Sequence, residues 1–430
     1  MRVLVIGGGG REHALVWKLR QSRDVSKIWC TPGNGGISQQ AECVSANLED
    51  ISAVADLAES LRIDLTVVGP EQPLVDGIVD EFDRRGLRII GPTRKWAQLE
   101  GSKLFAKEFL NNHGIPTASV LGVFTSAQDA LKKLVNLNYP LVLKADGLCG
   151  GKGVLVASTY REASDFVNRS LETREFGDSG GKLLIEEALH GSELSFIVLS
   201  DGRDFLPLVP TRDHKRVFDG DAGPNTGGMG AYSCDGIISP SLEGQILERV
   251  VEPTMRALST GTDPYCGFLY FGLMLTPVGP KVLEFNCRLG DPEAQAIVAR
   301  MNFDLGDVLQ ASAEGRLRAQ ELKWRPGASV CVVMASGGYP GKYTAGKEIH
   351  GLEEAEAISA VSVFHAGTKR EGSNYDTSSG RVLGVTGAGE SLDSARRQAY
   401  DAVRRIQFAD CHCRRDIALA GCRVANIGEA

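Results

Sequence analysis

The chain alternates short, largely apolar runs with stretches whose apolar residues recur every three or four positions. Val3 to Ile6, Ile28 to Cys30, Leu65 to Val68 and Leu87 to Ile90 are runs of the first kind, and helical spacing carries Ala14, Leu15 and Leu19, then residues 51–61 and 74–84. Runs without polar alternation are strands buried on both faces, so the pattern predicts a βαβ series: a parallel sheet covered by helices. Gly91-Pro92 interrupts it, a helix carrying Lys103 and Lys107 is expected over 96–110, and Gly114-Ile115-Pro116 marks a junction. Residues 123–190 then read as two helices on a small antiparallel sheet with strands at 141–143, 154–156 and 182–186. Residues 195–199, Val209, 268–276 and 281–285 look like a second sheet. Past Arg325-Pro326-Gly327, strands at 328–335, 360–364 and 381–386 precede a helix over 391–406.

Composition narrows the class. A length of 430 residues exceeds one core and suggests about three domains. Hydrophobic and charged contents of 43% and 23% are those of an ordinary globular protein. A net charge of -7 argues against chain-wide binding to nucleic acid or an anionic membrane, while leaving room for a local basic pocket. Glycines interrupt the apolar start MRVLVIGGGG, no run approaches about 18 apolar residues, and the ten cysteines contain no C-x-x-C spacing. A cytoplasmic protein with free or buried thiols is expected.

The first strand runs into Gly7 to Gly10, which invites a dinucleotide reading. The fingerprint G-x-G-x-x-G fails in both registers, because Glu12 or His13 stands in the third glycine's place, and no acid closes the second strand. What remains is a glycine-rich strand-to-helix turn, with Gly9 and Gly10, beside a second loop, Pro32 to Gly36, with Asn34. Such loops at strand carboxyl ends suit a sugar phosphate, or only permit tight turns.

Four further stretches carry candidate chemistry. Tyr139 to Ala157 is strand, loop, strand, with glycines that let backbone N–H groups approach an anion between Lys144 and Lys152. It is no P-loop, since Asp146 and Gly153 occupy diagnostic positions and a strand follows; alone, it also reads as a surface turn. In Val282 to Glu293, period-2 alternation places Glu284 and Asn286 on one face and Leu283 and Phe285 on the other. Two hard oxygen donors with open positions suit Mg²⁺ shared with nucleotide phosphates, and Arg288 follows one step along. Glu186 to Leu189 and Glu193 could meet an adenine edge and ribose hydroxyls. Asp213-His-Lys215-Arg precedes a glycine-dense loop with Asn225, Thr226, Gly227 and Gly228, a setting for a carboxylate or phosphate. No histidine pair or cysteine set has zinc spacing, and no Gly-x-Ser-x-Gly elbow appears.

In this order, the motifs resemble the ATP-grasp superfamily and, within it, the phosphoribosylamine–glycine ligases of purine biosynthesis. The resemblance rests on VLVIGGGGREHAL (3–15), VVGPEQPLVDGI (67–78), QLEGSK (98–103), KADGLCGGKGV (144–154), DHKR (213–216), GPNTGGMGAYS (223–233), EFNCRLGDPE (284–293) and GGYPG (337–341). Two departures, Cys149-Gly150 for the usual alanines and Leu289 for phenylalanine, lie off the charged positions. The resemblance implies an α/β and α+β multidomain protein: a Rossmann-like N-terminal parallel-sheet domain (1–106), a lid-containing ATP-grasp part (107–193, lid about 123–190), an ATP-grasp core with the metal site (194–326), and a mixed α/β C-terminal domain (327–430). It implies Lys103, Lys144 and Lys152 near ATP phosphates, Glu186 and Leu189 at the adenine, Glu193 at the ribose, and Glu284 with Asn286 on Mg²⁺ or Mn²⁺. The implied reaction joins glycine to 5-phosphoribosylamine through glycyl phosphate, as ATP becomes ADP and phosphate.

Chemistry adds Arg288 as a planar fork for the transferring phosphoryl group or the glycine carboxylate, and Asp213, Lys215 and the 225–230 loop around glycine or the amine, with the N-terminal glycines on the ribose phosphate. A monomer is expected, with transient contact to neighbouring purine-pathway enzymes. Because the chain stops soon after Ile417, a single-function protein is expected too. Another ATP-grasp ligase or carboxylase component should lack GPNTGGMGAYS, a nucleotide-sensing module could dispense with Glu284 or Arg288, and a dehydrogenase needs the fingerprint that is broken here.

Overall fold

In a computed structural model of the chain, the described residues are 1–419 and 421; the remainder of the expected C-terminal block lies outside them. The N-terminal sheet is parallel, in the order Glu42–Cys43, Lys27–Pro32, Arg2–Gly7, Leu65–Val68, Ile89–Ile90. Its central strand is buried on both faces, with Leu4 and Ile6 in one apolar cluster and Val3 and Val5 in another, which is why that run shows no alternation. The helix expected over 74–84 is broken into Glu71–Asp76 and Ile78–Arg84 by Gly77, whose φ of 91° ends the first piece. The helix over 96–110 also divides. Ser102 is extended, and its hydroxyl accepts from the Phe105 N–H to start Lys103–Asn112 anew.

The lid is a four-stranded antiparallel sheet, Val120–Phe124, Leu183–Glu187, Leu141–Ala145, Val154–Ala157. Helices Ala127–Leu134 and Tyr160–Val167 pack on it around a separate apolar cluster. Both helices are N-capped, by Ser126 and Thr159. A second antiparallel sheet runs Phe205–Pro207, Ser192–Asp201, Cys266–Thr276, Gly279–Asn286; Val209 belongs to no strand.

The alternation expected along Gly279–Asn286 is interrupted. The register shifts so that Gly272 faces Glu284 and Leu273 faces Val282, leaving Leu283 as the extra residue of a bulge. Val282 and Phe285 both enter the core, while Leu283 joins Glu284 on the open side. Leu283 therefore does not share a face with Phe285.

A third sheet crosses the expected boundary at 326. Its order is Arg212–Asp213, Gly230–Cys234, Ala328–Ala335, Arg381–Gly389, Val361–His365, so two strands from the middle of the chain pair with three from its last part. Helix Leu392–Val403 covers it. The first and last parts of the chain also meet directly. The His365 N–H donates to His13 Nδ1 at 2.7 Å, and the Gly35 N–H donates to the Thr368 carbonyl at 3.0 Å.

Burial pushes the pKa of His13 down to about 3 and that of His365 down to about 4. Both stay neutral in the folded protein, while the unfolded chain protonates near the ordinary value of about 6.5. Below that value the unfolded state binds more protons, so stability falls as pH drops from about 6.5 towards 4. Scanning calorimetry should find a loss on the order of 2–4 kcal/mol between pH 7 and pH 5, with a shallower slope for His13→Gln. An equal slope in the variant would remove His13 from the cause.

Candidate active site

A cleft of about 1130 Å³ lies between the lid, the second sheet and the third sheet. A separate hollow of about 350 Å³ near Arg203, Glu252 and Tyr265 contains none of the motif residues. Val142, Leu184, Leu189, Met274 and the bulged Leu283 give the cleft an apolar slot, with lysines among its lining residues. Lys103 Nζ donates to the Gly147 carbonyl at 2.6 Å, tying the linker helix to the hairpin.

Glu186 does not stand free for a nucleotide. Its carboxylate is buried between Lys107 at 2.7 Å and Lys144 at 2.8 Å. Lys107 also donates to Thr117 Oγ1 and the Ala118 carbonyl, and Lys144 to the Leu283 carbonyl. Two ammonium groups share one carboxylate, so the trio carries a net positive charge. Lys107 was visible in the sequence only as a helical lysine; its partner lies 79 positions on, so nothing local marks its role.

Lys152 is exposed and forms no part of the cleft wall. The hairpin nevertheless roofs the site. A Cβ on Gly151, whose φ is 78°, would sit 3.2 Å from the Thr226 carbonyl oxygen, an approach that suits glycine. Gly150, one of the two departures, has φ 56° with open space around it, a backbone state that glycine adopts without penalty.

Opposite the lysines, Glu284 and Asn286 face the cleft from the end of their strand. Lys215 bridges Glu193 at 3.0 Å and Glu284 at 3.5 Å. Burial works against ionising Glu284, yet Lys215, Lys144, Lys103 and Arg288 hold its pKa below the ordinary value. Lys215 is likewise held charged by Asp213, Glu193 and Glu284 in spite of burial. Asp213 goes the other way: burial, with Glu293, Glu193 and Glu284 nearby, raises it to about 8 against the pull of Lys215.

Arg288 lines the cleft, but its fork is largely occupied. Nη2 meets Glu100 at 2.6 Å and Nε meets Glu71 at 3.2 Å, with the Leu289 carbonyl on Nη1. An incoming anion would meet its charge rather than a vacant pair of donors. Glu100 also accepts from the Cys287 N–H at 2.7 Å, and burial raises its pKa to about 7 although Arg288 opposes this. Glu71 and Glu100 were present in quoted motifs, but their target, some 190 to 220 positions away, is a tertiary contact.

The N-terminal glycines differ most from expectation. The Gly9 N–H donates to Glu12 Oε2 at 2.5 Å, so the anion-binding amide of the turn is filled by the chain's own carboxylate, which Arg11 pairs at 2.6 Å. Gly10 is buried against Gln295 and lines no part of the cleft. Asn34 is also off the wall. Its amide donates to the carbonyls of Gly8 and His365 and accepts from the N–H groups of Gly36 and Ile37, a structural pin rather than a free donor.

The glycine-dense loop is in place. Asn225, Thr226 and Gly227 line the cleft, with Gly228 just behind them against Pro292. Tyr339 and Arg381 complete this end from the last part of the chain. Tyr339 lies in the quoted GGYPG, but nothing local indicated that it would reach the cleft.

The chain is similar to known proteins along nearly its whole length. Models of the phosphoribosylglycinamide synthetase N domain, ATP-grasp (A) domain and C domain match residues 1–100, 101–294 and 329–420. The phosphoribosylamine–glycine ligase of Escherichia coli (strain K12) is 48% identical over 421 residues, covering 97% of this chain and 98% of that one. That of Caldanaerobacter subterraneus is 46% identical over 418 residues, 97% and 99% of the two chains. The crystal structure of the Thermotoga maritima phosphoribosylamine–glycine ligase superposes with a TM-score of 0.83 at 33% identity, covering 97% of this chain and 100% of the other. A Campylobacter jejuni biotin carboxylase, at 15% identity and a TM-score of 0.73, shares the fold. With three matching domains in order and relatives similar from end to end, the chain belongs to the phosphoribosylglycinamide synthetase family.

Proposed function

We propose that the protein joins glycine to 5-phospho-D-ribosylamine, converting ATP to ADP and phosphate, in the purine-building role of its family. The observation that carries this reading is the meeting, in one cleft, of a lysine-edged apolar slot, the Glu284–Asn286 pair and the 225–228 loop. A carboxylate is a poor electrophile until one oxygen becomes a phosphate leaving group. In the first step a glycine carboxylate oxygen attacks the γ-phosphorus and ADP departs; in the second the amine nitrogen attacks the acyl carbon and phosphate departs. Such chemistry asks the protein for positioning and charge neutralisation, which is why no nucleophilic side chain is needed.

The residues divide this work. Lys103 and Lys144 face the phosphates, with Lys152 reaching them from the hairpin; Leu189 and Leu283 hold the adenine, and Glu193 the ribose. Glu284 and Asn286 suit Mg²⁺ or Mn²⁺. Glu284 is held ionised and its side chain opens to the cleft, and a cation that takes its remaining ligands from phosphate and water needs few protein oxygens. Held by Glu284 and Asn286, a divalent ion would supply charge neutralisation at the phosphates. Asp213 and Lys215 hold glycine, the 225–228 loop beside them takes the amine, and Arg288 lends its charge to the transferring group. The reading carries with it a cytoplasmic monomer.

Three measurements test these assignments. ADP release should need glycine and reach full rate only with the amine present, and ADP formed equally when both are omitted would sink the ligase reading. Glu284→Gln should lower turnover by about 100-fold or more with the fold retained. Lys107→Met leaves Glu186 matched by Lys144 alone and removes one positive charge from the slot, so KM for ATP should rise on the order of tenfold. An unchanged KM would mean that the charge of Lys107 is not felt in the slot.

A further inference from the structure

The last part of the chain contributes a half-buried cation whose partners all lie on the 225–228 loop and at Asp291. Arg381 opens the strand Arg381–Gly389, where the register against Ala328–Ala335 shifts: Met334 faces Leu383, but Ala335 faces Arg381. Such a shift turns a side chain away from its regular direction. Here it delivers the guanidinium to acceptors on two separate loops, with the Gly228 carbonyl at 3.5 Å the most distant. Nη1 donates to the Gly227 carbonyl at 2.5 Å and to the Asp291 carbonyl at 2.5 Å, and Nη2 pairs with Asp291 Oδ2 at 3.2 Å.

The two loops touch with almost no clearance. Gly228 has φ 110°, and a Cβ there would lie 2.5 Å from Pro292 Cδ. The OH of Tyr339 accepts from the Gly227 N–H at 3.0 Å, so the loop is gripped on both its carbonyl and its amide. Asp291 reaches onward: its Oδ1 accepts from Gln295, and its carboxylate lies beside the Gly9–Gly10 turn, where Cβ atoms would be 3.4 and 3.6 Å away. Arg381 and Arg11 hold Asp291 ionised against burial. Among the described residues, the hydrogen bonds and ion pair of Arg381 go to Gly227, Gly228 and Asp291, not to the lysine-edged slot or Glu284.

We propose that Arg381 is a positioning residue for the phosphorylated amine: it fixes the gap between the 225–228 loop and the 291–293 segment, and so sets that substrate's pocket without touching the nucleotide end. The proposal rests on the function proposed above, and it goes further by dividing the site. The last part of the chain governs the acceptor, while the nucleotide and glycine activation depend on the other two parts. Lysine cannot stand in, because an ammonium lacks the planar fork that spans two carbonyls and a carboxylate at once.

The test compares wild type with Arg381→Lys, Arg381→Met and, as a milder change that keeps the ring, Tyr339→Phe. Steady-state KM values for ATP, glycine and phosphoribosylamine are measured together with thermal melting. Glycine activation is read without the amine, as scrambling of ¹⁸O from the β,γ-bridge of labelled ATP to the β-nonbridge positions. For both Arg381 variants, KM for phosphoribosylamine should rise about tenfold or more. KM for ATP and the rate of glycine-dependent scrambling should stay within about twofold of wild type. Tyr339→Phe should shift KM in the same direction by a smaller factor. An unchanged KM for the amine, an equal rise in all three KM values, or full rescue by lysine would overturn the proposal. If an Arg381 variant does not fold, an unchanged amine KM in Tyr339→Phe would overturn it equally. Wild type that turns over neither glycine nor phosphoribosylamine would instead refute the proposed function.

Discussion

The cleft depends on where the chain is held just after Asn286. Three charged side chains from three segments fix that point: Arg288 itself, Glu71 on the carboxyl side of the parallel sheet, and Glu100 on the helix Arg94–Gly101, which also takes the Cys287 N–H. Glu100 is buried and Glu71 half-buried, so removing Arg288 strands the Glu100 carboxyl away from water, at a cost of roughly 3–5 kcal/mol. Satisfied, the group stops the strand that carries Glu284 and Asn286 from sliding. The oxygen pair is therefore placed by residues that need never touch a substrate.

A second constraint is the economy of positive charge. Lys107 and Lys144 share Glu186, Lys215 divides itself between Glu193 and Glu284, and Arg288 is matched by two carboxylates. In a medium of reduced dielectric, each arrangement keeps a cation oriented while leaving only part of its field for a bound anion. The glycine turn is the extreme case, because Glu12 has already taken its amide. That contact also explains why the broken dinucleotide fingerprint is no accident of spelling. The residue in the third glycine's place folds back into the space a pyrophosphate would need, and Cβ atoms on Gly7 and Gly69 would strike it.

Much of the scaffold was legible because it is written locally. The buried strand Ala328–Ala335 coincides with its apolar run, and the hairpin strands Leu141–Ala145 and Val154–Ala157 extend theirs by only a residue or two. Legibility failed wherever a partner lay far along the chain or a single residue broke the period. Gly77 and Ser102 split helices that the spacing alone would continue, and the bulge at Leu283 reversed one side chain. Asn34 had the right chemistry for a ligand and spends all of it on its own backbone. Arg381 had no local signal at all, since its acceptors lie 90 and 154 positions away.

The third sheet has a consequence for how the molecule is made. Gly230–Cys234 pairs on one edge with the two-residue strand Arg212–Asp213 and on the other with Ala328–Ala335, about a hundred residues downstream. A growing chain emerges from the ribosome at about 5–20 residues per second, so that strand waits several seconds or more with an open edge. Unpaired edges of buried strands are templates for association with other chains. The period between synthesis of these two segments is thus the window in which a nascent molecule is most exposed to misassembly, and chaperones would act there.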